Sequence, residues 1–378
     1  MIRKMYDVAI IGAGINGCSV AKEFLDENKS VVIFDKNGIA SGGSGAAGAF
    51  ISPKFSKAGE LKEIINDAFL YSMEYYEKNF SSAFRKAELM HIAKDEKEDE
   101  ILKIFKEKTV LNLKNPKKET LALLKQNASQ REYVCIEAGV VDAVQMCHAM
   151  INGAKFIKIE VQNIIWEDGY WLIDDIYAAK ELVLATGAYK KLLDEPYIEL
   201  RGVWGHRIDI RTKLQNHNSI HQFVSISPSS NGIIAIGATH NVHFHPDKDH
   251  ATYDLEAGRE ELLTKASYTI TLNNDVEIVK DYTGLRSGSF DYMPLVGPLV
   301  LSKETMNCCE KNIRVKRPDY KEFLYYPNLY MINGSGGYGF VLAPYLAKIL
   351  KEHISGAKTI SDRLSPARFF ARWAKKLS

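Results

Sequence analysis

The sequence of 378 residues has few cysteines and almost no excess of charge of either sign, and each of these two features argues against a class of protein. Five cysteines, without a CxxC pair or zinc-ligand spacing, argue against a disulfide framework and predict a reducing, cytoplasmic compartment. The 49 basic and 47 acidic residues leave a net charge of +2, so bulk charge does not indicate nucleic-acid binding. Hydrophobic residues make up 46% and charged residues 25%, which is typical of a folded protein of about two domains.

The sequence also lacks a convincing membrane segment. The stretch 329–347 carries no charge, but the run Asn333–Gly339 inside it is rich in glycine and would break a spanning helix. Residues 8–11 follow a basic pair as in a secretion signal, but Asp7 precedes them and glycines follow directly. We therefore expect no membrane association.

A glycine motif at the start of the chain is of the kind that binds dinucleotides. An apolar strand over 7–11 leads into the glycines, a helix over 18–25 and a second strand ending at position 35. Such glycines permit a tight turn, a close approach of backbone amides to a pyrophosphate, and close packing of the helix on the sheet. An acidic residue after the second strand can accept hydrogen bonds from a ribose diol. This unit assigns five residues to a cofactor: Gly12, Gly14, Gly17, Asp35 and Lys36.

Three further segments of small residues favour FAD over NAD. They are a run over 41–49, a buried strand over 182–185 that ends in Thr-Gly, and a glycine loop over 333–339 before the last long helix. Amides and the dipole of that helix can stabilise negative charge on a reduced flavin ring. Several glycine loops spread over the chain suit a long, extended cofactor. They add these residues to the predicted site: Ser41, Gly42, Ser44, Gly45, Ala185, Thr186, Gly187, Gly334, Gly336, Gly337, Tyr338 and Gly339.

Together these segments resemble the D-amino-acid oxidase and glycine oxidase superfamily of flavoproteins over nearly the whole chain. The resemblance implies an α/β fold, α+β overall, in which a Rossmann-like FAD-binding domain is interleaved with a mixed antiparallel β-sheet substrate domain. We expect the FAD to be held non-covalently, because no cysteine is well placed to tether it. In this superfamily a Gly-x-Arg segment places an arginine over the flavin to hold the substrate carboxylate, and Gly284-Leu285-Arg286 matches it. A guanidinium can grip a carboxylate with two parallel hydrogen bonds; the alternative for Arg286 is a structural ion pair.

The order of these segments predicts discontinuous domains. We assign 1–80, 133–195 and 284–361 to the FAD-binding domain, 81–132 and 196–283 to the substrate domain, and 362–378 to a basic C-terminal helix. Lysine and glutamate are dense over 81–132, where we expect an inserted helical segment, with a helix around 98–105 and no strand.

Within the superfamily, the oxidase half of the MnmC tRNA-modification proteins is most similar. The segment 291–297 looks like its Asp-His-Leu-Pro-Met-Val-Gly, 201–206 like its Arg-Gly-Gln-Val-Ser-His, and 237–240 like its Gly-Ala-Ser-Tyr. The resemblance implies an FAD-dependent oxidase that removes the carboxymethyl group from 5-carboxymethylaminomethyl(-2-thio)uridine at the tRNA wobble position. It further implies tRNA as substrate and dioxygen as electron acceptor, and it allows for a separate methyltransferase partner.

Two other functions stay open at this point. A glycine or D-amino-acid oxidase or dehydrogenase would use the same arginine, because free glycine and the modified base share an N–CH2–carboxylate group. A flavin-binding scaffold that has lost turnover would need no substrate. Reduction of the flavin by substrate under anaerobic conditions separates both oxidases from the scaffold.

The remaining clusters predict surface features. His240, His243, His245 and His250 lie in a turn-rich segment, which indicates a solvated loop rather than a metal site. The adjacent Cys308 and Cys309 lie in a polar stretch and predict loop thiols rather than a covalent link to flavin.

Two basic stretches, 311–321 and 362–378, are the candidates for contact with nucleic acid. Ser365-Pro366 predicts a helix start, after which Phe369, Phe370 and Trp373 would share one face. The tail is therefore either a helix docked by its aromatic side chains or an RNA-binding surface, and both can be true.

Overall fold

The computed structural model describes residues 4–189 and 192–377; the remaining positions of the predicted domains, 1–3, 190–191 and 378, lie outside the described residues. In chain order the strands are β1 (Lys4–Ile11), β2 (Val31–Phe34), β3 (Phe50–Ile51), β4 (Phe84–Ile92), β5 (Tyr133–Val141), β6 (Lys155–Ile157), β7 (Ile164–Glu167), β8 (Tyr170–Ile173), β9 (Tyr177–Leu184), β10 (Leu200–Arg211), β11 (Ser219–His221), β12 (Ser225–Ile226), β13 (Ile233–Gly237), β14 (Glu277–Ser289), β15 (Leu295–Val300) and β16 (Tyr325–Asn333). The helices are α1 (Ile15–Leu25), α2 (Glu60–Asn79), α3 (Glu96–Lys108), α4 (Lys118–Leu123), α5 (Gln126–Ser129), α6 (Ala143–Met150), α7 (Leu255–Thr269), α8 (Ser302–Cys308), α9 (Glu310–Arg314), α10 (Gly339–Ile354) and α11 (Ala367–Leu377).

The first sheet contains the predicted dinucleotide unit. Its strand order is β15-β16-β9-β1-β2-β6, and the β7–β8 hairpin is attached to β9. β1 pairs in parallel with both β2 and β9, so α1 connects two adjacent parallel strands as the glycine motif predicts. Alternate residues of β1 lie in two different apolar clusters, Val8 and Ile10 in one and Ala9 and Ile11 in the other. The sheet is therefore buried on both faces, which explains its uninterrupted apolar strands.

The second sheet has the order β14-β10-β13-β12-β11-β4-β5-β3 and is antiparallel except where β11 pairs with β4. Helix α7 packs on it through Leu262 and Ala266, which join a buried cluster with Ile208 and Ile236. The combination of a largely parallel sheet and a largely antiparallel one agrees with the predicted fold class.

The expectation of no strand within 81–132 was wrong. β4 runs over Phe84–Ile92 and pairs along its whole length with β5. The strand is hidden in the sequence because Arg85, Lys86 and Glu88 interrupt its apolar residues, and only pairing with β5 makes it an extended element. The helix expected around 98–105 is confirmed as α3, which begins with a side-chain cap from Asp95 to the Glu98 amide.

At three points the predicted domain boundaries do not coincide with the boundaries between the two sheets. β3 and β5 lie in segments assigned to the FAD-binding domain but pair within the second sheet. Position 284, the start of the third assigned segment, falls inside β14. The division into domains stays a prediction.

The uncharged stretch 329–347 forms most of β16, a turn and the first half of α10. None of the helices within 4–189 and 192–377 is long and apolar enough to cross a membrane. The sequence interpretation of this stretch as a strand, a turn and a helix is therefore confirmed.

Candidate functional site

A cavity of about 460 Å³ is lined by residues from both sheets. It brings together fourteen of the predicted cofactor residues and the predicted carboxylate-binding arginine: Gly12, Gly14, Asp35, Lys36, Ser41, Gly42, Ser44, Ala185, Thr186, Gly187, Gly336, Gly337, Tyr338, Gly339 and Arg286. Three predicted residues, Gly17, Gly45 and Gly334, are not part of the lining.

Gly17 and Gly45 shape the wall from behind. A Cβ on Gly17 would lie 1.9 Å from the Gly12 carbonyl oxygen, and a Cβ on Gly45 would lie 2.2 Å from that of Ala40. Gly12 has a φ of 109°, and a Cβ there would lie 2.3 Å from the Ala185 carbonyl oxygen. These glycines allow backbone to touch backbone, which brings the three segments close enough to form one wall.

Asp35 directly follows β2, and its side chain holds the turn after the strand by hydrogen bonds. Its Oδ1 accepts hydrogen bonds from the amides of Asn37 (2.9 Å) and Gly38 (3.0 Å) and from the Ser41 hydroxyl (3.1 Å). Oδ2 accepts one from the Ala13 amide at 2.9 Å. A carboxylate has about four acceptor positions in all, two on each oxygen, so Oδ2 retains capacity for a ligand hydroxyl.

Asn333 joins segments that lie far apart in the sequence. Its side-chain amide donates to the Gly187 carbonyl at 3.0 Å, and its Oδ1 accepts from the Ser287 hydroxyl (2.8 Å) and the Gly334 amide (2.9 Å). It is fully buried and also lines the cavity. In the sequence, Asn333 is visible only as the first residue of the glycine loop. Its role in joining these segments could not be predicted, because the contacts depend on strands that are distant in the chain.

The cavity fits an extended FAD by its backbone lining. A Cβ on Gly43 would lie 2.7 Å from the Leu285 carbonyl oxygen, and a Cβ on Gly284 would lie 2.9 Å from the Ala46 Cβ. Helix α1 starts after Gly14, which has no side chain that could cap the helix. The Ile15 amide donates to the Ser44 hydroxyl at 2.9 Å. The amides that follow in the first turn are thus oriented toward an anion such as a pyrophosphate.

Arg286 lines the cavity from β14 without an acidic partner. Its Nη2 donates to the Thr239 carbonyl at 3.0 Å, and its guanidinium lies against Gly205, where a Cβ would be 2.3 Å away. Within residues 4–189 and 192–377 no carboxylate lies within ion-pair distance of it. Burial lowers the pKa of the Arg286 guanidinium, as expected for an uncompensated cation. Such a group favours an anionic ligand, so the alternative of a structural ion pair is not supported.

Two histidines behind and beside the cavity were missed by the sequence analysis. His221 on β11 lines the cavity, and His91 is its register partner on β4, with ring centroids 6.5 Å apart. His221 Nε2 and His91 Nδ1 are buried without a hydrogen-bond partner in the described chain. Burial lowers the pKa of His221 to about 4; burial and then the neighbouring His221 lower the pKa of His91 to about 3. Both rings are therefore uncharged at neutral pH, and no local motif marks either of them.

The remaining predicted clusters are not among the residues that line the cavity. Cys308 is the last residue of α8, rather than part of a loop as expected, and neither it nor Cys309 is among the lining residues. The histidine cluster 240–250 lies in irregular chain between β13 and α7. No group of three or more potential metal ligands is arranged for a metal ion within 4–189 and 192–377.

The basic tail forms α11, and the docked interpretation is confirmed. Phe369, Phe370, Ala371 and Ala374 are buried in the cluster that covers one face of the first sheet, while Arg372, Lys375 and Lys376 are exposed. The Lys375 ammonium donates to the Lys316 carbonyl at 3.2 Å, so the two basic stretches of the sequence lie side by side.

Comparison with known proteins agrees with this geometry. The family model DAO, described as FAD dependent oxidoreductase, matches residues 7–353. The bifunctional protein MnmC of tRNA 5-methylaminomethyl-2-thiouridine biosynthesis from Saccharophagus degradans is 24% identical, with 96% of this chain aligned to 55% of that protein. The MnmC protein of Legionella pneumophila strain Corby is also 24% identical, over 96% of this chain and 57% of its own. The chain thus spans about half the length of the curated relatives that it matches.

Solved structures share the fold at lower sequence identity. Glycine oxidase from Geobacillus kaustophilus superposes with a TM-score of 0.76 at 20% identity, covering 97% of this chain and 99% of its own. Iminodiacetate oxidase from Chelativorans sp. BNC1 has a TM-score of 0.73 at 18% identity, covering 95% of this chain and 98% of its own. At these identities the likeness concerns the fold.

Proposed function

Because the chain belongs to the DAO family of FAD dependent oxidoreductases, we propose that it removes the carboxymethyl group from 5-carboxymethylaminomethyl(-2-thio)uridine at the tRNA wobble position. The curated relatives, which align over 96% of the chain, are named for the synthesis of the methylaminomethyl base in tRNA. Formation of that base requires an oxidation that removes the carboxymethyl group, and we assign this oxidation to the present chain.

The observation that carries the proposal is Arg286. It is a guanidinium at the cavity wall that has no carboxylate partner in the described residues and is held in place by Thr239 and Gly205. The carboxylate of a carboxymethylamine is the group whose charge and planar shape match it. Glycine, iminodiacetate and the modified uridine all present this N–CH2–carboxylate unit.

The chain's own residues would hold FAD along the cavity wall. We assign Asp35 and Lys36 to the ribose end, the first-turn amides after Gly14 to the pyrophosphate, and the small residues over 41–49 together with Gly336–Gly339 to the ring. When bound there, FAD would supply the acceptor for the hydride that leaves the substrate carbon, and this hydride carries both electrons of the oxidation.

The proposed reaction balances as an amine oxidation followed by hydrolysis. The carboxymethyl CH2 loses a hydride and the amine nitrogen loses a proton, which gives a C=N imine. Water adds to the imine carbon, the C–N bond breaks, and a two-carbon oxo acid leaves while the aminomethyl base remains on the RNA. Arg286 holds the carboxylate throughout, which fixes the position of the reacting CH2 in the cavity. The uncharged His221 adds no second cation beside it. We propose dioxygen as the final electron acceptor.

The decisive experiment offers both substrates to the same preparation. The purified holoprotein is incubated with tRNA that carries the carboxymethylaminomethyl group, and nucleosides are analysed by mass. The proposal is supported if the wild type removes the carboxymethyl group and Arg286→Ala removes it much more slowly. Efficient turnover of free glycine with unchanged tRNA would replace it by the glycine oxidase function, which the same Arg286 and the shared fold would serve.

A second measurement concerns how FAD is bound. Since neither Cys308 nor Cys309 is among the cavity residues, we propose that acid or heat releases all of the flavin from the chain. The released compound is identified as FAD by its absorption and mass. Flavin that stays with the denatured chain would contradict non-covalent binding.

A further inference from the structure

A second arginine lies on the same face of the second sheet as Arg286. In the β10–β14 pair, Val203 is opposite Arg286 and Arg201 is opposite Gly288. Residues opposite each other share a face and alternate along each strand, so Arg201 is a diagonal neighbour of Arg286, about 7–8 Å away. Both charges act on one exposed side chain, because burial and then Arg286 and Arg201 lower the pKa of His240. Arg201 itself is not among the residues that line the cavity.

Arg201 has no ionic partner in the described part of the chain. Its guanidinium stacks 4.8 Å from the ring centroid of Tyr292, and its Nε is buried without a hydrogen-bond acceptor. Tyr292 is 62% exposed, so most of its ring faces solvent although one part of it is stacked on Arg201. The pair therefore offers solvent a cation beside the open part of a ring.

The position of Tyr292 is set by the C-terminal helix. Arg368 of α11 binds Asp291 with Nε at 2.7 Å and Nη2 at 3.0 Å, and its Nη2 also donates to the Met293 carbonyl at 2.8 Å. Tyr292, between these two anchored residues, has a φ of 65°, a conformation that a tyrosine adopts only where its neighbours enforce it. The exposed ring is thus preformed rather than part of a free loop.

The same features continue toward the tail. Phe290, which is 51% exposed, lines a shallow depression with Arg372, Trp373 and Lys376 of α11. Glu199 is the acidic residue in that lining. We call the six residues of this surface the rim patch: Arg201, Phe290, Tyr292, Arg372, Trp373 and Lys376.

We propose that the rim patch binds the single-stranded anticodon loop beside the modified base, an inference that rests on the proposed function. Exposed rings next to arginine and lysine are the means by which proteins bind unpaired RNA, because bases stack on the rings and phosphates meet the cations. The rim patch adjoins Arg286 through Arg201, so a base whose carboxylate reaches Arg286 would have its neighbouring nucleotides over Arg201 and Tyr292. Its net positive charge complements phosphate, and its rings are interspersed with cations instead of forming the continuous apolar face that lipid insertion needs.

The test measures RNA binding by the full-length holoprotein separately from turnover. A fluorescein-labelled anticodon stem–loop RNA is titrated by anisotropy at several salt concentrations. We expect Tyr292→Ala to raise the Kd about 5- to 50-fold and Tyr292→Phe to retain most of the affinity, because stacking needs the ring and not the hydroxyl. We expect Arg201→Gln to weaken binding and to lower the slope of log K against log salt by about 0.7, as for one lost phosphate contact to a single strand.

The matched control is Lys97→Gln, which removes an exposed charge from α3. This helix packs near β5, at the other end of the second sheet from β10 and β14. It should leave the Kd unchanged, and the thermal midpoint of each variant shows that the chain is folded. Equal Kd values for wild type, Tyr292→Ala and Arg201→Gln would overturn the inference, as would binding to phosphatidylserine vesicles that is lost in these variants while RNA affinity is retained. Absence of wobble-base turnover in a protein that binds RNA through the rim patch would instead refute the proposed function.

Discussion

The glycine-lined wall of the cavity and the rim outside it are built on opposite principles. The wall is made by backbone, with Gly12, Gly17 and Gly45 in contacts that no Cβ could enter. The rim patch is made by side chains. Arg201 stacks on Tyr292, and the pairing of β10 with β14 places Arg201 next to Arg286 of the wall. A backbone site tolerates few residues at each position, whereas a side-chain site depends on register and can be rebuilt by substitution. We therefore assign the wall to cofactor binding and propose that the rim patch contributes to the choice of substrate.

The strongest way to break this contrast is to remove the support that the tail gives to the rim. Phe370 is fully buried against Tyr197 and Phe323, and Arg368 of the same helix holds Asp291. We expect Phe370→Ala to lower the free energy of unfolding by about 3–5 kcal/mol, because a buried aromatic ring is lost and a cavity remains. Denaturant unfolding followed by circular dichroism measures the change.

The matched control on the same helix is Arg372→Ala. It removes an exposed side chain and should change the unfolding free energy by less than about 0.5 kcal/mol. The tail lies outside the flavin motifs in the sequence, but its contacts predict that deleting 362–378 impairs stability and activity on every substrate together. A truncated protein that unfolds at the wild-type midpoint would show that the helix does not support the rim.

The next largest effect is expected in the wall itself. Gly17→Ala places a methyl group 1.9 Å from the Gly12 carbonyl, so α1 must move away from β1. We expect a loss of stability of about 3 kcal/mol and a much lower flavin content, measured as the ratio of flavin to protein absorbance after purification. Gly288→Ala is the matched control, since its Cβ would lie at an ordinary 3.7 Å from the Arg201 carbonyl oxygen. Full flavin content in Gly17→Ala would mean that α1 packing does not shape the site.

This difference explains which features were predictable from the sequence. The βαβ unit was, because Gly12, Gly14, Gly17 and Asp35 are local and each has a backbone reason to be there. Arg286 was predictable only through a family resemblance, since a lone arginine in a strand has no local signature. β4 was missed because charged residues interrupt its apolar pattern, and His221 was missed because its position depends on pairing between distant strands. The role of Tyr292 was missed because it depends on contacts with Arg201 and with the C-terminal helix.

Arg286 is the point where wall and rim meet, and its replacement sharpens the contrast between cofactor and substrate binding. We expect Arg286→Ala to lower kcat/KM for a carboxymethylamine about 10- to 100-fold, because a charged hydrogen bond in a desolvated site contributes about 1.5–3 kcal/mol. Arg286→Lys should lose less, since one ammonium keeps the charge but not the planar fork. Stopped-flow reduction of the flavin under anaerobic conditions gives the rates. Unchanged kinetics in both variants would remove Arg286 from the substrate site.

The smallest expected effect concerns the buried histidines beside the wall. The pKa of His221 is lowered to about 4 in the folded chain, whereas a histidine in the unfolded chain titrates near its ordinary value of about 6.5. Between these two values the unfolded chain binds a proton that the folded chain does not, so the stability from the neutral ring is complete above about pH 6.5. It is lost as the pH falls toward 4, by up to about 1.4 kcal/mol per pH unit for each such histidine.

We therefore expect the difference in unfolding free energy between wild type and His221→Asn to shrink as the pH is lowered from 7.5 to about 4.5. Denaturant unfolding at each pH measures it, and carboxylates that titrate in the same range cancel because they are present in both proteins. The matched control for the substitution is His148→Asn, which replaces an exposed histidine on α6. A pH-independent difference for His221→Asn would mean that His221 titrates in the folded chain as it does in the unfolded chain. It would then gain a proton below about pH 6.5 and place a second cation in the cavity wall, so that the wall would contribute charge as well as shape to substrate binding.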